Sequence, residues 1–233
     1  MSGPINLFWY SSVAVQLLFC IHLVWTRLAR NYPIFTLYLG CSVVGSLAAM
    51  FFMRGAMGAR LPLSYTYFWL WTEPVLLLLQ IAVALEVHAR MWTEHSAMVR
   101  PAKPLLFFAL IIALVFAAIP LKAELSRFSA IQLRAIMQFE FLAKRYISTV
   151  LAIFLVFSAV LFLIVIHNSL RSSLFRHEGM LAAYFGIYAV AYFSIDMGWA
   201  MPTLVNNYLA SALTLCFVVW MSVFKPREEL LES

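Results

Sequence analysis

Charge is scarce in this chain. Lys, Arg, Asp and Glu make up 11% of its 233 residues, while apolar residues make up 64%. A soluble domain carries about 25% charged residues, so there is too little charge here to coat a water-facing surface. Cysteine is also rare: Cys20, Cys41 and Cys216 stand alone inside apolar stretches. With no CxxC pair and no zinc-type spacing, they read as small core residues, not as a disulfide framework. The opening Met1-Ser-Gly-Pro-Ile-Asn lacks the basic start of a cleavable signal peptide, so the first apolar run is expected to stay as a membrane span.

Signatures of catalysis are missing too. The chain has no GxSxG elbow, no HExxH, no P-loop and no Gly-rich nucleotide loop, so neither an enzyme of those kinds nor a cofactor is expected. The last apolar run has no lysine in its middle, which disfavours a retinal Schiff base in the manner of the microbial rhodopsins. The first and fifth runs have no proline, which counts against the small sugar transporters with a Pro-Gln pair. A net charge of +6 can signal nucleic acid, but Lys and Arg are spread over connecting segments and form no basic patch. No nucleic-acid partner is expected.

What the chain does have is seven long apolar runs, near residues 6–26, 34–53, 64–85, 104–121, 147–166, 180–198 and 203–224. At ~1.5 Å per residue, a helix of 18–22 residues crosses a ~30 Å hydrocarbon core. The expected fold is all-α: a single polytopic domain of seven transmembrane helices in the cell (plasma or inner) membrane, with the lipid bilayer as its first partner.

Basic residues orient it. With the N-terminus outside, the inner segments hold nine Lys/Arg and the outer ones seven. Five of the outer seven lie between residues 122 and 146; without that segment the contrast is nine to two. The positive-inside rule therefore favours N-out, C-in. Within that segment, Arg127, Arg134, Gln138 and Arg145 share a helical stripe, and Glu140 and Lys144 make an (i, i+4) pair. It reads as an amphipathic helix between the fourth and fifth spans, lying on the membrane or extending the fifth.

Two stretches resemble each other. Ile21-His22 precedes Leu37-Tyr38-Leu39-Gly40, and Ile166-His167 precedes Ala183-Tyr184-Phe185-Gly186, with His-to-Tyr gaps of 16 and 17 residues. Few positions match, so a parallel repeat stays an open alternative to chance. Small residues line one side of the second span (Gly40, Gly45, Ala49) and of the sixth (Ala182, Gly186, Ala189). These faces suit close helix approach, with those spans innermost, or a dimer seam; the sequence leaves the oligomeric state open.

Ionisable residues inside a bilayer are functional candidates. Glu73 stands about ten residues into the third run, on one face with Trp69 and Gln80, beside Pro74. Asp196 and Trp199 end the sixth run, and Asn206 and Asn207 open the seventh. In the N-out threading these form an outer set, acidic and aromatic, suited to an organic cation. An inner set comprises His22, Glu86, His88 and His167, with a haem or transition metal as its sharper reading. Glu86 and His88 are two residues apart and so point about 200° apart on a helix. Ordinary interfacial placement of histidine and aromatic residues is the plainer explanation of both sets.

The reading that follows is a non-enzymatic sensor or binding module with an outer pocket around Glu73. In span count and orientation it is similar to seven-helix sensory modules of the bacterial membrane. Only nine residues follow Phe224, so output would pass to a cytoplasmic or membrane partner protein. The alternatives are a small secondary transporter using Glu73 and Asp196, and a membrane redox subunit or enzyme using the inner histidines.

Overall fold

The computed structural model describes residues 4–54, 63–92, 96–124, 130–165, 173–197 and 202–223. Among them every regular element is helical: α1 Pro4–Trp25, α2 Leu28–Asn31, α3 Pro33–Arg54, α4 Leu63–Met91, α5 Ser96–Glu124, α6 Ala130–Val165, α7 Ser173–Asp196 and α8 Pro202–Val223. Three of these begin on proline, whose fixed φ and missing N–H suit the first helical position. Between α1 and α2 the chain turns at Arg27, held at φ 61°.

The long helices coincide with the seven apolar runs. Five segments are long and apolar enough to cross a membrane: Pro33–Phe52, Ser64–Met91, Ala102–Ile119, Phe139–Ile164 and Phe175–Ile195. Trp9–Trp25 and Asn207–Val223 are shorter apolar stretches of α1 and α8. The outward surface has a matching composition. On α5, Leu105, Phe108, Ile111, Val115 and Ile119 are all more than half exposed. So large an apolar face would drive aggregation in water and is satisfied by lipid.

Six helices close a ring, in which α1 packs on α3, α3 on α4, α4 on α6, α6 on α7, α7 on α8 and α8 on α1. The fourth and seventh helices also touch across it, and α5 lies outside, mainly against α6. The ring is filled by aromatics, with Phe19 ringed by Phe35, Phe217 and Trp220 at centroid distances of 5.6–5.8 Å.

Of the two placements expected for the segment before the fifth span, the structure has the extension: residues 130–165 make one 36-residue helix, about 54 Å long. No Gly or Pro interrupts Ala130–Val165, so nothing stops the helix where hydropathy falls. Residues 125–129 of that segment lie outside the described ones. Across the ring α4 packs on α7, while the second and sixth spans, α3 and α7, meet through long side chains such as Tyr38 and Tyr184. At Gly40, Gly45 and Gly186 an added Cβ would meet nothing within 4 Å, so no close approach depends on them.

Candidate functional site

Glu73 on α4 meets Lys144 on α6. The Lys144 Nζ donates to Glu73 Oε2 at 2.6 Å, and the two side chains are 14% and 13% exposed. This is the one salt bridge among the described residues. The ammonium also lies over two rings of α7, 5.5 Å from the centroid of Tyr188 and 5.7 Å from that of Tyr192. Those tyrosines are four residues apart on one helix face and stack at 5.9 Å. Phe141, three residues before Lys144, meets Tyr192 edge-on at 4.9 Å. Charge pairing and cation–π contact thus act on one ammonium, joining α4, α6 and α7.

A second acid stands close. Glu140, one turn before Lys144, is buried, and its Oε2 has no hydrogen-bond partner. It lies within Coulombic reach of both Glu73 and Lys144. One base therefore lies within Coulombic reach of two carboxylates.

From the pair a polar chain runs into the bundle. Tyr188 contacts Tyr184 at 5.0 Å between centroids. The hydroxyls of Tyr184 and Tyr38 share a short hydrogen bond, and Gln80 Nε2 donates to the Tyr38 oxygen at 3.0 Å. Tyr38 and Tyr184 are the two tyrosines that occupy matching places in the similar stretches of sequence. The fold brings those places together, hydroxyl to hydroxyl, at the ring centre.

Of the outer candidates, then, Glu73 and Gln80 lie at the two ends of one chain of side chains. Trp69 is half-buried one turn before Glu73; its carbonyl accepts from the Thr72 hydroxyl at 3.2 Å. Asn207 is half-buried and accepts from Ser211 through its carbonyl at 2.9 Å. Asp196 and Asn206 fall within α7 and α8, but their side chains, and all of Trp199, lie outside the described residues. Sequence reading missed Lys144, Tyr188 and Tyr192. Their signals were present: tyrosines at 184, 188 and 192 repeat every four residues, and Phe139, Phe141 and Leu142 carry the apolar run upstream past Lys144.

The inner set separates. Glu86 reaches α3, where its carboxylate accepts from the backbone N–H of Ile34 at 3.1 Å and of Phe35 at 2.9 Å. Pro33 has no N–H, and Thr36 bonds back to the Tyr32 carbonyl at 3.0 Å. Glu86 therefore completes the capping of α3 from another helix, placing negative charge at its N-terminus. His88 points to α6 instead, with Nδ1 2.8 Å from the Ser158 hydroxyl. His22 lies at the foot of α1, and His167 is outside the described residues. His177, not among the candidates, is packed between Tyr32, Phe35 and Trp220 at 4.4–5.2 Å. The indole of Trp220 donates to its Nδ1 at 2.9 Å, which puts the ring proton on Nε2. Among the described residues no three His, Cys, Asp or Glu side chains converge as a metal site would need.

Compared with family models, curated proteins and solved structures, the chain has no match among any of them. What fold and site define is a class: an all-helical, apolar-surfaced chain with the make-up of a multi-pass membrane protein and an ion pair set among its helices.

Proposed function

We propose that this chain spans the cell membrane seven times, N-out and C-in, as a non-enzymatic module that binds or senses an organic cation from its outer side. The carrying observation is the Glu73–Lys144 pair over Tyr188 and Tyr192. Lys144 occupies the place that acids and aromatic faces would offer to a solute cation. Such a solute competes for Glu73. The displaced Lys144 has a second acceptor waiting at Glu140, four residues back on its own helix, an orientation that favours pairing. Exchange between two carboxylates is a two-position element of the kind switches use. With Lys144 on Glu73, α4 and α6 are tied; with Lys144 on Glu140, they are released. Output then passes through the inner segments to a partner protein.

The threading is tested by labelling. In a variant with the native cysteines replaced, a cysteine at Ser2 should react with an impermeant maleimide on intact cells. One at Ser233 should react only after lysis. The opposite pattern reverses the orientation and places Glu73 in the inner half.

Ligand exchange is tested by thermal unfolding in nanodiscs with choline and other quaternary and primary amines. At tenfold over Kd, binding stabilises by about 1.4 kcal/mol, a rise of roughly 3–6 °C for a chain of this size. Glu73→Gln should abolish the rise. An unchanged rise in that variant, or none across the panel in the wild type, rejects the reading. The polar chain leading inward from the pair favours transport as the second reading. Counterflow of labelled choline in proteoliposomes is its mark.

A further inference from the structure

Glu178 stands apart from all of this. It lies one turn into the apolar stretch of α7, is wholly buried, and neither carboxylate oxygen completes a hydrogen bond. Among the described residues it has no salt-bridge partner; Arg176, two residues earlier, stands about 200° round the helix. A buried carboxylate without donors is a marked exception in a folded protein and calls for a partner.

Its neighbours cannot supply enough. The Ser158 hydroxyl, within reach of Glu178, accepts from the Trp92 indole at 3.0 Å and lies 2.8 Å from His88 Nδ1. A hydroxyl has one proton. Given to His88 it leaves Glu178 with nothing; given to Glu178 it leaves one oxygen bare. His88 Nε2 is buried and unpartnered as well.

Beside this cluster an apolar groove of about 370 Å³ runs along the outer seam of α6 and α7. Ala159, Gly179 and Ala182 line it, and Ala159 and Gly179 adjoin Ser158 and Glu178 in the chain. The groove and the cluster are also joined by packing. Phe175 lines the groove and packs on Met91, Trp92 and Phe162. Trp92 in turn bonds Ser158 and meets Phe162 edge-on at 5.5 Å. Glu178 itself does not line the groove; its chain neighbour Gly179 does, and the rings of Phe175 and Trp92 link the acid's cluster to that apolar, lipid-facing trough.

We propose that this seam is a second binding site, for a small hydrophobic cation arriving from the lipid phase. Its apolar body lies in the groove along α6 and α7. Its positive centre pairs with Glu178 beside the Trp92 ring, through charge and cation–π attraction.

The probe is tetraphenylphosphonium, measured by equilibrium binding and by Trp fluorescence on the full chain in nanodiscs, against empty nanodiscs. Wild type should bind it saturably, without competition from neutral triphenylphosphine oxide. Glu178→Gln should weaken binding by roughly thirtyfold or more, as loss of a buried charge partner does. Gly179→Leu fills the groove, where an added Cβ meets nothing within 4 Å; with its helicity checked by circular dichroism, it should weaken binding by about tenfold. The proposal is overturned by an absence of saturable binding in the wild type. It is equally overturned by unaltered affinity in Gly179→Leu, or in a folded Glu178→Gln.

Discussion

Replacing Lys144 with Met should destabilise the bundle more than removing both members of its ion pair. The methionine keeps the length of the side chain but leaves Glu73 and Glu140 within Coulombic reach of each other without the cation that pairs with Glu73. At 2.6 Å and an effective dielectric constant of ~20, the lost attraction is about 6 kcal/mol before desolvation is counted. Removing one partner of a buried pair costs roughly 3–5 kcal/mol, most of it the cost of the charge left behind. The 14% and 13% exposures place this pair near the buried limit. In Glu73→Gln with Lys144→Met no charge is stranded at position 73, and most of the loss should be recovered. Reversible unfolding in mixed micelles measures the wild type and both variants. If the single and double variants are equally unstable, Lys144 acts through its packing on Tyr188 and Tyr192, not through its charge. That result would also remove the exchange between Glu73 and Glu140.

The pair shows where sequence reading stops. The apolar runs were legible because lipid demands length and hydrophobicity, and both are written locally. Lys144 was hidden by the same rule. With Arg134 and Arg145 it made a basic stretch that reads as a connection, and hydropathy placed the fifth span after it. Helix propensity overrode that boundary, since nothing between Ala130 and Val165 breaks a helix, and Lys144 was carried in beside Glu73. The meeting of residues 73 and 144 is a tertiary fact, and no periodicity within either helix encodes it. Tyr38 and Tyr184 are legible for a different reason, their matching sequence positions, and the fold joins them.

Glu86 was misleading in a more instructive way. Beside His88 at the foot of a span, it invited a metal-binding reading. Its partner is the start of another helix, 51 and 52 residues upstream. The helix α3 opens on Pro33, and the residue before it, Tyr32, has no side chain able to cap the free N–H groups of Ile34 and Phe35. A helix that begins inside an apolar environment without its own Ser, Thr, Asp or Asn must take an acceptor from elsewhere.

Glu86→Ala should therefore be costly in stability and local in its signature. Two hydrogen bonds to a charged acceptor are lost, each contributing about 1.5–3 kcal/mol, and the N-terminal charge interaction adds up to about 1 kcal/mol. Water reaching the half-buried helix start returns part of this, leaving an expected loss of about 3 kcal/mol. Glu86→Gln keeps an acceptor oxygen without the charge and should lose about half as much. Amide exchange supplies the second readout: Ile34 and Phe35 should lose protection in the alanine variant before the rest of α3 does. A metal ligand would behave differently. Its removal would release bound metal and leave those two amides as protected as before. Unchanged exchange at Ile34 and Phe35 in Glu86→Ala would thus rule out the cap, whatever happened to the global stability.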